Sequence, residues 1–243
     1  MCQILSYGGG VQTIAMCVLV ATQKIPPPQY IIAADTGREM PTTWEYAREH
    51  ATPLLARVGL DLHIAPHDLA TVDLYGHNGD LLMPVFTSTG KLSTYCSGEW
   101  KARVVDRYAR RVLGIVGPIV NWIGFSLDEQ RRVKGHDGRR YPLLELMLTR
   151  TDCERIILDA GLPLPKKSRC WMCPHQHNAE WREVRADPEL WSQAVAIDTE
   201  LRDADERGGV YLHSDRKPLD QVDLDTIDRL EPSRQCGLGM CFV

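Results

Sequence analysis

At 243 residues the chain is long enough for one α/β domain with a small appendage, and its 44% hydrophobic and 25% charged residues are ordinary globular values. A net charge of −4 provides no overall basic field for nucleic acid. The apolar runs near Met1 are too short and interrupted to span a bilayer, and no basic n-region precedes the first strand, so a cytoplasmic protein without a membrane partner is expected.

Gln3 to Tyr7 reads as a short apolar strand, the triplet Gly8-Gly9-Gly10 breaks it, and Ile14 to Ala21 resumes as a helix. Strand, glycine turn and helix in that order make an anion site: glycines let backbone N–H groups approach a ligand, and the helix start favours negative charge. The plainer alternative is a tight turn that binds nothing. A Walker loop and a Rossmann G-x-G-x-x-G turn are both absent from this stretch. Tyr30 to Ala34 is a continuous apolar run, the pattern of a buried parallel strand, and it ends in the polar set Asp35-Thr36-Gly37-Arg38-Glu39. Pro41 to Val58 reads as a helix stopped by Gly59, and Leu60 to Ile64 alternates like a third strand. Residues 69–98 read as a long irregular loop, and helix follows to about Leu113. A fourth strand, Ile119 to Ile123, also ends in a polar set running from Gly124 through Asp128 to Arg132. Asp152 to Ala160 and Ala179 to about Arg207 are helical patterns, the second broken near Pro188.

Of eight cysteines, Cys2, Cys17 and Cys153 lie in apolar strand or helix contexts and read as packing residues. Cys96, Cys170, Cys173, Cys236 and Cys241 lie in Gly-, Ser- or Pro-flanked segments, where clustered thiols in a reducing compartment point to metal or catalysis. Cys170-x-x-Cys173-Pro174 places two thiolates on a tight turn beside a proline, a setting shared with iron–sulfur ligands. His175-x-His177 follows directly, and a hydrogen-bonding role is expected of it. Lys101, Lys166, Lys167 and Arg169 would offset thiolate charge.

These stations, in this order, resemble the adenine nucleotide α-hydrolase (PP-loop) superfamily, and within it the branch of phosphoadenosine phosphosulfate reductases and iron–sulfur ATP pyrophosphatases. Ser6-Tyr7-Gly8-Gly9-Gly10-Val11-Gln12-Thr13 resembles the PP-loop, with Gln12-Thr13 where the pyrophosphatases carry Asp-Ser. Asp35-Thr36-Gly37 with Pro41, Gly124 through Arg132, and Pro142-Leu143 with Ser168 to Pro174 resemble the later family segments. Gln235-Cys236-Gly237-Leu238-Gly239 is similar to the reductases' Glu-Cys-Gly-Leu-His tail.

The resemblance implies a doubly wound, mostly parallel sheet with helices on both faces, a nucleotide-binding domain over 1–140, and a C-terminal cysteine-bearing region over 141–243. It implies that Ser6, Gly8, Gly9, Gly10, Gln12, Thr13, Asp35, Thr36, Gly37 and Gly124 bind ATP or a related adenine nucleotide with Mg²⁺, and that Asp128 and Arg132 take part in catalysis. It implies a [4Fe–4S] cluster on Cys96, Cys170, Cys173 and Cys241, or Cys236 in place of Cys241, with a zinc site or unligated thiols as the rivals. In one version an acceptor (a small molecule, tRNA or DNA) is adenylated and then receives sulfur from a donor. In the other, Cys236 attacks a phosphosulfate and a thioredoxin-like partner resolves the product. A non-catalytic nucleotide- or cluster-binding module is the third possibility, and a homo-oligomer is expected.

Overall fold

The computed structural model of the chain describes residues 1–133, 135, 138–204 and 209–226. In chain order the elements are β1 (Cys2–Tyr7), α1 (Val11–Ala21), β2 (Tyr30–Ala34), α2 (Pro41–Tyr46), α3 (Thr52–Ala56), β3 (Leu62–Ala65), β4 (Phe86–Thr87), β5 (Gly90–Lys91), α4 (Arg103–Arg111), β6 (Ile119–Trp122), β7 (Arg139–Arg140), α5 (Pro142–Glu145), α6 (Arg150–Asp159), α7 (Asn178–Arg185) and α8 (Pro188–Ala204). Two compact units divide the described residues: those within 1–71 and 98–169 form one, those within 72–97 and 170–226 the other.

The first unit is an α/β domain on a five-stranded, all-parallel sheet of order β3-β2-β1-β6-β7. Its strands are short apolar runs because both faces are covered. Leu5, Tyr7, Ile31, Ala33 and Trp122 face a core shared with α1, α3 and α6, while Ile4 and Ile32 face Val104, Val105 and Ala109 of α4. Helices on both faces of a parallel sheet are the doubly wound, Rossmann-like arrangement. The expected fold class holds at that level. Packing of α6 along α1 keeps the chain through Arg169 in the sheet unit.

Three local departures have physical causes. The helix expected from Pro41 to Val58 is interrupted by a π-helical turn at Ala47–Ala51. Pro53 has no N–H to give the carbonyl four residues back, so the ladder widens before α3 continues. β7 is a two-residue arginine strand that carries no strand signature; Asn121 N and Ile123 N donate to Gly138 O and Arg140 O at 2.8 and 2.9 Å, and the Arg140 guanidinium lies 4.6 Å above the Trp122 ring. Charged side chains on a short edge strand also discourage pairing with another sheet. The third is the β4–β5 hairpin, which interrupts the loop expected over residues 69–98.

In the second unit α7 and α8 are separate helices, as Pro188 predicts, and the buried Trp181 lies within α7. Phe86 pairs with Tyr211. Asp198, fully buried, accepts Leu212 N (2.9 Å), Leu219 N (3.0 Å) and Arg202 Nε (3.1 Å). Buried His213 bonds Asn178 Oδ1 at 2.9 Å. Among the described residues no helix is long and apolar enough to cross a membrane.

Candidate functional site

The strand order places a topological switch point between β1 and β6. The chain winds outward from β1 to β3 on one side and resumes with β6 on the other. Ligands of open α/β sheets bind where the strand ends splay at such a point. β1 delivers Ser6 and Tyr7 to that edge and then turns through Gly8, Gly9 and Gly10 into α1.

Gly9 has φ +71°, and a Cβ there would lie 2.5 Å from Thr43 Cγ2 and 3.7 Å from the Ser168 side chain. It is glycine for two independent reasons, backbone conformation and space. Gly10 is the extended N-cap of α1, with no side-chain cap and no acidic residue in the first helical turn. The initial N–H groups of α1 and its positive dipole end are therefore not offset locally, which suits an anion. From β6, Gly124 comes so close that a Cβ would stand 3.4 Å from both Gln12 Cβ and Thr13 Oγ1. Gln12 Nε2 donates to Glu129 Oε2 at 3.1 Å, across 117 residues of sequence. Glu129 Oε1 pairs with Arg132 Nη1, and the Arg132 guanidinium lies 4.3 Å from the Phe125 ring centre. The expected residues Gln12, Thr13, Gly124 and Arg132 thus converge.

Asp35, Thr36 and Asp128 serve the backbone. Asp35 Oδ1 accepts Gly37 N at 2.8 Å, and the Thr36 hydroxyl accepts Arg38 N at 3.2 Å, so both shape the turn after β2. Asp128 Oδ2 accepts Arg150 N at 2.5 Å at the start of α6. The carboxylate that meets the first turn of α1, through Gln12, is Glu129, which follows Asp128 directly in the same polar set. Its neighbour on a 3₁₀ turn points elsewhere, and sequence spacing does not separate the two.

A second residue missed from the sequence is Glu39. It is buried and lines a cleft that is open to solvent, together with Ser6, Tyr7, Gly8, Thr43, Trp44 and Lys101 among others. Glu39 Oε1 accepts Ser168 Oγ at 2.6 Å, and Oε2 accepts Lys101 Nζ at 3.2 Å, with side-chain exposures of 4% for Glu39 and 16% for Lys101. Met40 N donates to Arg169 O at 2.9 Å, which brings the 168–169 segment beside the loop. Its signal was a glutamate in the polar set after β2, two residues before Pro41. Lys101, expected beside thiolates, is engaged here. Glu39→Ala is expected to destabilise the sheet unit by about 3 kcal/mol, since it leaves the Lys101 ammonium buried without its carboxylate. Urea denaturation checks this, and a variant as stable as the parent would refute it.

Burial pushes the Cys17 thiol up to about 12; at Cys153 burial, with Asp152 adding, has the same result. Both are fully buried, as packing cysteines should be. Unfolded thiols ionise near about 8.5, so above that pH the unfolded chain holds fewer protons than the folded one. The stabilisation is complete below pH ~8.5 and falls with rising pH, by about 1.4 kcal/mol per pH unit for each thiol. Urea midpoints measured from pH 8 to 10.5 should drop steeply, and less so in Cys17→Ala; an unchanged slope would disprove the assignment.

The thiols expected to hold a metal lie in the second unit. Cys173 N donates to Cys170 O at 3.1 Å, closing the tight turn the spacing predicts, and Cys96 N donates to Leu82 O at 3.0 Å. All three are partly exposed. Among the described residues no three His, Cys, Asp or Glu side chains gather closely enough to hold a metal ion. Cys236 and Cys241 lie outside the described residues.

Fold and site together define an α/β protein with a glycine turn at the switch point of a parallel sheet. No protein-family model matches the chain, and no curated protein matches it significantly.

Proposed function

We propose that this protein is an adenine-nucleotide-dependent enzyme of sulfur chemistry, of the PP-loop (adenine nucleotide α-hydrolase) type, that activates an acceptor by adenylation. One observation carries the reading. The glycine turn after β1 and the Gly124–Arg132 segment after β6, two stations of a single nucleotide site by resemblance, meet through Gln12 and Glu129. In this reading the phosphates lie against the first N–H groups of α1, with the Thr13 hydroxyl and Arg132 beside them. The apolar flank of the cleft, Ile32 to Ala34 with Trp44 and Val105, takes the base.

An acceptor oxygen attacks the α-phosphorus; its bond to the pyrophosphate oxygen breaks, and pyrophosphate departs. The contribution of the chain is orientation by the glycine turn and charge stabilisation by Arg132. Displacement of AMP by a sulfur nucleophile completes the transfer. The magnesium expected from the resemblance does not fit as a protein-held ion. Asp35, Asp128 and Glu129 are each already engaged by protein N–H donors, and no step is assigned to it. Cys96, Cys170 and Cys173 would be the cluster ligands by donor type, partial exposure and membership of one unit, although their side chains do not gather into a metal site among the described residues; Cys241 or Cys236 would be the fourth ligand. When bound, a [4Fe–4S] cluster would supply an iron site for sulfur.

A second reading, phosphosulfate reduction with Cys236 as nucleophile, is favoured by Gln12 in place of the pyrophosphatases' aspartate. The discriminating assay incubates the purified protein anaerobically with ATP, and separately with adenosine phosphosulfates and a dithiol reductant that can release sulfite from a Cys236 S-sulfonate by forming a disulfide. AMP and pyrophosphate from ATP support adenylation, and sulfite release that is lost in Cys236→Ser supports reduction. Neither product, across small-molecule, tRNA and DNA acceptors, would refute the enzymatic proposal. A visible absorption spectrum with iron and sulfide assays separates cluster from zinc.

A further inference from the structure

Gln12 occupies the first turn of α1, two residues after Gly10, and is half-buried. Its amide donates to one oxygen of Glu129, and the other oxygen of Glu129 pairs with Arg132. The guanidinium of Arg132 lies over Phe125, 4.3 Å from the ring centre, and Phe125 stacks on Tyr141 with ring centres 5.7 Å apart at 18°. Side-chain exposures are 21% for Glu129 and 13% for Arg132. Arg132 is therefore held between a ring and a carboxylate, and that carboxylate is itself fixed by Gln12 in the first turn of α1. A guanidinium restrained in this way has surrendered its rotamer freedom before any ligand arrives.

We propose that Gln12 is a positioning residue: acting through Glu129 it fixes Arg132 beside the glycine turn, so that this guanidinium offsets phosphate charge and the nucleotide binds without a divalent cation. The inference rests on the nucleotide reading above and goes beyond it. It assigns roles to Gln12 and Glu129 and says what neutralises the ligand. It also gives a physical reason for an amide at position 12. A carboxylate there would face Glu129 across a hydrogen-bond distance, and like charges that close drive one side chain away or force the pair to share a proton. Either outcome releases Arg132.

The test is calorimetric titration of the full chain with ATP, in EDTA and in excess Mg²⁺, with thermal melting as the control for folding. The parent should bind with affinities within about threefold of each other in the two buffers, and Arg132→Met should lose about tenfold or more, the size of one charge-assisted hydrogen bond. Gln12→Glu should lose about tenfold, and the exchange Gln12→Glu with Glu129→Gln should recover most of that loss, because amide and carboxylate trade ends of one bond. Gln12→Met, which removes the donor without adding charge, supplies a second measurement should Gln12→Glu fold poorly; a loss of about threefold is expected. A residue with only a structural role would lower the melting midpoint without recovery of affinity in the exchange. Parent-like affinity in Gln12→Met, failure of a folded exchange variant to recover, or binding that vanishes in EDTA overturns the inference alone. A folded parent that binds ATP in neither buffer overturns the nucleotide reading, and this inference with it.

Discussion

Gly9→Ala is expected to cost the sheet unit about 2–5 kcal/mol and to abolish nucleotide binding at the loop. Two costs add. A residue with a Cβ at φ +71° pays about 1–2 kcal/mol, and forcing that Cβ to 2.5 Å from the Thr43 methyl pays about 1–3 kcal/mol more. Thr43 is itself buried, so it has little room to retreat. Relief of the second cost is separable from the first. Thr43→Ser deletes the offending methyl, and in combination with Gly9→Ala it should return roughly half of the lost stability, with the backbone cost remaining. Gly10→Ala is the comparison: φ is −90° and nothing lies within 4 Å of the new Cβ, so a change below about 1 kcal/mol is expected. Urea denaturation of the four variants, with ATP titration beside it, measures both effects. Equal stability for Gly9→Ala and Gly10→Ala would remove the steric account of the loop.

Asp198→Ala is expected to destabilise the second unit by about 3–5 kcal/mol, the range for breaking a buried charge pair. The carboxylate is fully buried and satisfies two backbone N–H groups, at Leu212 and Leu219, and one guanidinium on its own helix. Alanine would leave two buried donors unsatisfied as well as Arg202 without its partner. Asn at 198 keeps the shape but turns an amide donor towards a donor, so an intermediate loss of about 2 kcal/mol should follow. Hydrogen exchange reads the mechanism directly: the amides of Leu212 and Leu219 should lose protection first, while the β1 and β2 amides of the other unit keep theirs. Uniform loss across both units would point to a different cause. Asp198 has no chemistry in the proposed reaction, so its effect also calibrates how far stability alone can mimic loss of function.

The two cases show why part of the site was legible and part was not. The glycine triplet, the apolar runs before it and after it, and the polar sets at Asp35 and Gly124 are local patterns, and period and turn chemistry identify them. Glu39 and Glu129 stood inside those polar sets, yet nothing local distinguishes them from Asp35 or Asp128. Their partners, Ser168 and Gln12, are 129 and 117 residues distant in the chain. Asp35 and Asp128 carry the more conspicuous motif positions and are committed to backbone N–H groups, Asp35 to that of Gly37 two residues on and Asp128 to that of Arg150 at the start of α6. β7 was illegible for a related reason: two arginines become a strand only because β6 offers its free edge.

By itself the sequence determined that a parallel α/β sheet forms, that a glycine turn follows its first strand, and that Cys17 and Cys153 pack while Cys170 and Cys173 share a turn. These follow from interactions within a few residues, where side-chain period and backbone freedom dominate. Tertiary structure alone decided that β1 lies beside β6, so that the glycine turn sits at the switch point, and that Glu129 rather than Asp128 reaches it. It also decided that Ser168 returns beside Gly9. The physical reason is that strand order and carboxylate partnership are chosen by burial and hydrogen-bond satisfaction over the whole chain, and residue spacing carries no record of that choice.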